Sequence, residues 1–182
     1  MNRFLDALDR SLTFKQLLWL VPFVLALHNA EEALTMPRWV MGNLPLIKSR
    51  LPAWIEIQFT PTQLLLSLVL ATVVPFIVTL VCIDGERKSK KLFLLMLLQM
   101  IIFINVFIPH ITASIQMRQY NPGVVTAVCF NLPFSLYFFR RAYREEYIAP
   151  RGFASLILVA VVLYPAVAWT LHFGGEWIAK SL

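Results

Sequence analysis

Long apolar runs separated by short polar breaks dominate the chain, and their lengths predict helices that cross a membrane. Runs at about 16–34, 62–82, 92–115, 123–139 and 153–172 each approach the twenty or so apolar residues that a hydrocarbon core requires. The pattern predicts an all-α integral membrane bundle of about five transmembrane helices, a single domain over residues 1–182. Ahead of the first run, Phe4, Leu5, Leu8 and Leu12 recur at helical spacing with Asp6, Asp9 and Arg10 between them. That spacing predicts a short amphipathic helix lying on the interface as an anchor. The same segment carries acidic residues and no small-residue cleavage site, so it is expected to be retained rather than removed as a signal peptide. Asn121-Pro122-Gly123 is a turn signal opening the fourth helix. Pro22, Pro75, Pro109, Pro133 and Pro165 fall inside runs and are expected to kink them, Pro109 with most consequence because it immediately precedes His110. No internal repeat is visible, and the longest polar stretch runs from Pro37 to about Thr60 between the first two spans.

Composition supports the membrane class. The 182 residues are 59% hydrophobic and 14% charged, with a mean hydropathy of +0.70, whereas a soluble domain is about half apolar and one quarter charged. The net charge of +6 does not point to nucleic acid, because the basic residues sit in short clusters at span ends, where the positive-inside rule accounts for them. With the N-terminus inside, eleven lysines and arginines fall on the inner side and five (Arg38, Lys48, Arg50, Arg118 and Lys180) on the outer side. This predicts a multi-pass protein of the cell membrane with its N-terminus cytoplasmic and its C-terminus outside. Trp39, Trp54, Tyr120, Tyr143 and Trp177 read as interfacial belt residues. Glu145 and Glu146 read as a charge-balanced surface, and Cys82 and Cys129 as small packing or lipid-facing residues that make no disulfide framework.

The first span carries the chemistry. In His28-Asn29-Ala30-Glu31-Glu32 a helix turns the imidazole and both carboxylates to one face. An ionised residue at a span centre costs roughly 2.5 to 3.5 kcal/mol to insert, so this cluster needs a cation, a shared proton or water to offset it. At about 1.5 Å per residue, His28 lies about 20 Å and Glu32 about 25 Å from Lys15, and His110 about 27 Å up the third span. His28 and Glu32 at i and i+4 form half of a zinc or iron site, and His110 is the natural third ligand. Glu31 is then the expected general acid or base, and Asn105 and Asn121 are expected polar supports of the catalytic site. Glu56, Gln58, Tyr120 and His172 also fall near this height, although His172 beside Gly174 and Gly175 reads as a packing residue.

The HNAEE string in the first span, Asn105 and His110 in NVFIPH, and the following NPGVVTA resemble the HXXEE family of small bacterial membrane proteins, over roughly the first to the fourth span. The resemblance implies a bacterial inner-membrane protein and the same site residues, and it names no reaction. The residues by themselves read as a metal-dependent membrane enzyme, a hydrolase or isomerase using zinc or iron on a lipidic or amphiphilic small molecule. Two rivals stay open at this stage. One is a proton- or cation-coupled carrier, with homo-oligomerisation supplying helices, and the other is an assembly factor with a structural polar cluster.

Overall fold

A computed structural model describes residues 2–50 and 59–181, all of its regular structure helical. After α1 (Asn2–Ser11), α2 runs over Phe14–Arg50 and α3 over Pro61–Cys82. Helix α4 spans Lys90–Met117 and includes a π-helical stretch at Val106–Ile111. Helix α5 is continuous through Val124–Thr126, a π-helical Ala127–Asn131 and Leu132–Arg144, and α6 covers Pro150–Ser181. Four of these helices, α2, α3, α4 and α6, are long and apolar enough to cross a membrane, and the chain is an all-α membrane bundle.

Helix α5 is not among these four. It carries Asn131, Ser135, Arg140 and Arg141 and runs along the bundle from the level of His28 to that of Leu12. Its first turns meet α2 at His28 and Thr126, and Arg141 Nη2 donates to the Leu12 carbonyl at the opposite end. Successive helices alternate in direction. Lys15 pairs with Asp84 at 3.1 Å and Phe139 packs on Phe153 at one end, while Gln63 meets His172 at 3.1 Å at the other.

Three facing stripes build the interior. On α2, Phe14, Leu18, Val21, Leu25, His28 and Glu32 are all buried at alternating spacings of three and four, so they form one continuous face. The stripe is apolar for its first four positions and chemical for its last two. Leu92, Leu95, Met96, Gln99 and Met100 on α4 face it, as do Asn131, Ser135, Phe138 and Ala142 on α5. At the Lys15 end Phe14 stacks on Tyr147 with centroids 3.9 Å apart, beside Phe138. The outer surface is the reverse: Val69, Ile77, Leu80 and Val81 on α3 and Leu158, Val161 and Val162 on α6 are exposed, as lipid-facing residues should be.

Several sequence expectations shift in detail. The first helix does not end near residue 34 but continues to Arg50 despite Pro37 and Pro45. Tertiary contacts hold this extension: Trp39 Nε1 donates to the Tyr120 carbonyl at 2.7 Å, Gln119 Nε2 donates to Asn43 Oδ1, and Val40 is buried. The last helix likewise exceeds 153–172, because its flanking polar residues continue the helical ladder to Ser181. The amphipathic α1 is more than an anchor. Its Asp9 carboxylate accepts from Tyr137, Arg140 and Arg144 at 3.0, 3.2 and 2.5 Å, clipping α1 to the end of α5. Glu145 is not simply solvated, since it pairs with Arg141. Cys82 is buried and Cys129 exposed, whereas Trp54, Glu56 and Gln58 lie outside the described residues.

Candidate metal centre

The two final positions of the α2 stripe meet the π-helical turn of α4. His28, Glu32 and His110 each offer one donor atom, and the three lie within 4.8 Å of one another, all buried. Glu32 sits between the histidines, with Oε2 3.8 Å from His28 Nε2 and Oε1 3.8 Å from His110 Nε2. The two imidazoles meet edge to face with centroids 4.6 Å apart. Asn29 beside them donates to Thr72 Oγ1 at 2.9 Å, which sets the cluster near mid-height of α3.

Each ring is held by its other nitrogen. The Pro122 carbonyl can only accept, so His110 Nδ1, 2.9 Å away, carries the proton and Nε2 is left as a lone pair. Thr126 Oγ1 donates to Glu31 Oε2 at 2.6 Å, so toward His28 Nδ1, 2.9 Å away, it accepts. His28 Nε2 is then also a bare lone pair, and it is buried without a hydrogen-bond partner among the described residues. An orphaned buried acceptor of this kind calls for a cation or a proton donor. A histidine whose distal N–H is fixed by a carbonyl, or by a hydroxyl backed by a carboxylate, is the usual arrangement around a bound metal. The donor set of two imidazoles and a carboxylate suits zinc or iron.

Glu31 stands behind the cluster rather than in it. Its Oε2 accepts from both the backbone N–H and the hydroxyl of Thr126 at 2.7 and 2.6 Å, and its Oε1 accepts from Tyr120 at 2.6 Å. Glu32 is the opposite case, with no hydrogen bond among the described residues. Asn105 Nδ2 donates to the remaining lone pair of His110 at 2.9 Å, and Tyr164 donates to Asn105 Oδ1 at 2.9 Å. Asn121 Nδ2 donates to the Pro109 carbonyl at 3.2 Å, steadying the turn that carries His110.

Local sequence explains two of these placements. Asn105 and His110 are five apart, about 140° around an α-helix. Pro109 has no N–H to give the Asn105 carbonyl, so the ladder widens to i+5. The N–H of Thr112 accordingly reaches back to the Phe107 carbonyl. Gly123 packs against the centre from the far side with φ of +80°, and a Cβ there would lie 2.7 Å from His28, 2.8 Å from His110 and 2.9 Å from Glu32. Only glycine meets both demands. The NPG turn was legible in the sequence, but its contact with all three site residues was not. Thr126, Tyr164 and Asn29 carried no separate signal, because a lone polar residue in a span has many uses. His172 stays apart, bonded to Gln63 and packed edge-on to Phe59 and Trp169.

Beside the cluster lies a cavity of about 180 Å³, bounded by α2, α3, α4 and α6. Asn29, Glu32, Asn105 and Tyr164 line it together with apolar residues such as Leu25, Val74, Ile101 and Leu171.

The chain is 23% identical over 157 residues to "Uncharacterized protein YrkK" of Bacillus subtilis (strain 168), a similarity covering 85% of this chain and 92% of that protein. No solved structure matches. Residues 19–138 match the family described as "Protein of unknown function with HXXEE motif", and the motif residues are His28, Glu31 and Glu32. With most of its length matched and the motif at the heart of its buried centre, the chain belongs to the HXXEE family.

Proposed function

We propose that the protein is a metal-dependent membrane enzyme acting on an amphiphilic molecule drawn from the bilayer. One observation carries this reading: the unpartnered Nε2 of His28 converges with Glu32 and His110 at the edge of an apolar cavity. His28, Glu32 and His110 hold the ion, and zinc or iron there supplies Lewis-acid polarisation of a ligand oxygen or a water, for hydrolysis or isomerisation. Glu31 acts through Thr126 as a positioning residue for His28, and Asn121 positions His110. Glu32 also lines the cavity, so an ion that it held would lie beside a bound molecule. The charge count supports an orientation with the Lys15 end on the cytoplasmic side.

One observation favours a second reading. Asn105 already occupies the His110 lone pair, an arrangement that also suits cofactor-free proton chemistry between His28 and Glu32. Elemental mass spectrometry on detergent-purified protein separates the two. The metal reading expects one zinc or iron per chain in wild type and in His172→Ala, with loss in His28→Ala and His110→Ala. Folded wild type without stoichiometric metal after incubation with either ion sinks it in favour of proton chemistry.

A further inference from the structure

The cavity beside Glu32 combines a few polar side chains with a mostly apolar lining. Among the described residues that line it there is neither lysine nor arginine. An anionic head, a phosphate or a carboxylate, would therefore lose its water without a basic side chain to pair with. The donors and acceptors present suit a neutral oxygen. Asn105 gives one Nδ2 hydrogen to His110, and its second has no acceptor among the described residues. Asn29 likewise commits one Nδ2 hydrogen to Thr72 and keeps another. Tyr164 donates to Asn105, which leaves its oxygen free to accept.

The rest of the cavity sets the shape of the ligand. Val74 on α3 and Val167 on α6 both line it and are both exposed, at 43% and 36%. The cavity thus reaches the apolar outer surface beside these two residues. A volume of about 180 Å³ gives space for the head and first carbons of a longer chain.

We infer that the cavity admits an uncharged amphiphile, an apolar chain with a single carbonyl or hydroxyl oxygen, entering from the apolar outer surface beside Val74 and Val167 with its oxygen toward the free amide hydrogens of Asn29 and Asn105. This rests on reading the cavity as the substrate space of the centre proposed above. Two ten-carbon photoreactive probes test it, each with a mid-chain diazirine, one ending in a methyl ketone and the other in a phosphate monoester. Each is irradiated with the protein in phospholipid nanodiscs, crosslinked residues are mapped by peptide mass spectrometry, and metal content is measured in parallel.

The ketone should label Val74 and Leu171. Relative to labelling of lipid-facing Val81 and Leu158, the phosphate should label those cavity residues about 100-fold less, the ratio expected for an unpaired charge at membrane depth. Asn29→Ala, which removes a free amide donor from the lining, should weaken cavity labelling by the ketone about 3- to 10-fold, the worth of one neutral hydrogen bond, and Ala168→Phe should remove it by filling the space. Equal cavity labelling by both probes, or none by the ketone, overturns the inference. Ketone labelling in protein that binds no metal leaves the neutral-ligand inference standing and sinks the metal centre. Stoichiometric metal with phosphate preferred does the reverse.

Discussion

The two halves of the bundle are built on the same stripes with different contents. Toward the Lys15 end, α2 presents Phe14, Leu17, Leu18, Val21 and Leu25 to Leu92, Leu95, Met96 and Met100 of α4 and Phe138 of α5, a close-packed interior with no polar obligation. One to two turns further along the same face of α2 come His28 and Glu32, opposite His110. In the first half the side chains need only fill volume. In the second each polar atom needs a partner, and the partners come from loops and π-helical turns that depart from regular geometry. A bilayer gives helices little hydrophobic reason to associate, so the apolar half contributes packing while the polar half contributes direction. The irregular backbone, π turns at Val106–Ile111 and Ala127–Asn131 and positive φ at Gly123, accompanies the centre and is absent from the apolar half of these helices.

Substitutions in either half should break this comparison in opposite ways. The largest effect is expected for Gly123→Ala, which places a methyl carbon against His28, His110 and Glu32 and strains a backbone of φ +80°. Metal content should fall to background while the helical circular dichroism stays native; retained stoichiometric metal would mean that the turn is not part of the centre. Next comes Phe138→Ala in the apolar half. It leaves a void rather than an unpaired polar group, and because lipid replaces water as the reference only the packing part of the usual cost remains, about 2 kcal/mol or more. Thermal stability should drop while metal per folded chain is unchanged, the inverse of the glycine variant.

Thr126→Val is intermediate. It removes the hydroxyl between Glu31 and His28 but keeps the shape, and should cost about 10- to 100-fold in metal affinity, the effect of losing the group that orients a ligating histidine. Competition with a chromogenic chelator reads this directly, and an unchanged affinity would remove Glu31 from the positioning role.

The smallest effect concerns the clip at the Lys15 end. Burial alone raises the pKa of Asp9, but hydrogen bonds from Tyr137 and Arg140 and the charges of Arg140 and Arg141 outweigh it and hold the carboxyl below its ordinary value of 3.8. A group depressed in the folded state contributes stability that is present above its unfolded pKa and is lost as pH falls through the folded one. The Tm should therefore decline with acidification below about pH 4. Asp9→Asn should flatten that slope without changing metal content, and an unaltered slope would show that the acid transition belongs to other carboxylates.

Hydrophobic patterning was enough to read the membrane class and the two terminal stripe residues of α2, because a span must be apolar and any exception within it stands out. His28, Glu32 and His110 were legible for that reason, and the structure brings them together. Glu31 was legible as a site residue but not in its placement, since neighbouring carboxylates on one helix differ only in what approaches them from elsewhere. Here Thr126 and Tyr120 approach one of them and the cavity the other. The extension of α2 to Arg50 was hidden because its proline and charge signals are local, whereas Trp39, Val40 and Asn43 are held by distant parts of the chain.

The sequence by itself determined that this is a helical membrane protein with an ionisable cluster inside it, because the cost of leaving backbone or charge unsatisfied in hydrocarbon allows few alternatives. Only the tertiary structure decided which nitrogen of each histidine is free, which glutamate faces the cavity and which is held behind the site, and that Gly123 is in contact with all three donors. Those outcomes depend on approaches of a few ångströms between helices far apart in sequence, and no local pattern along one helix encodes them.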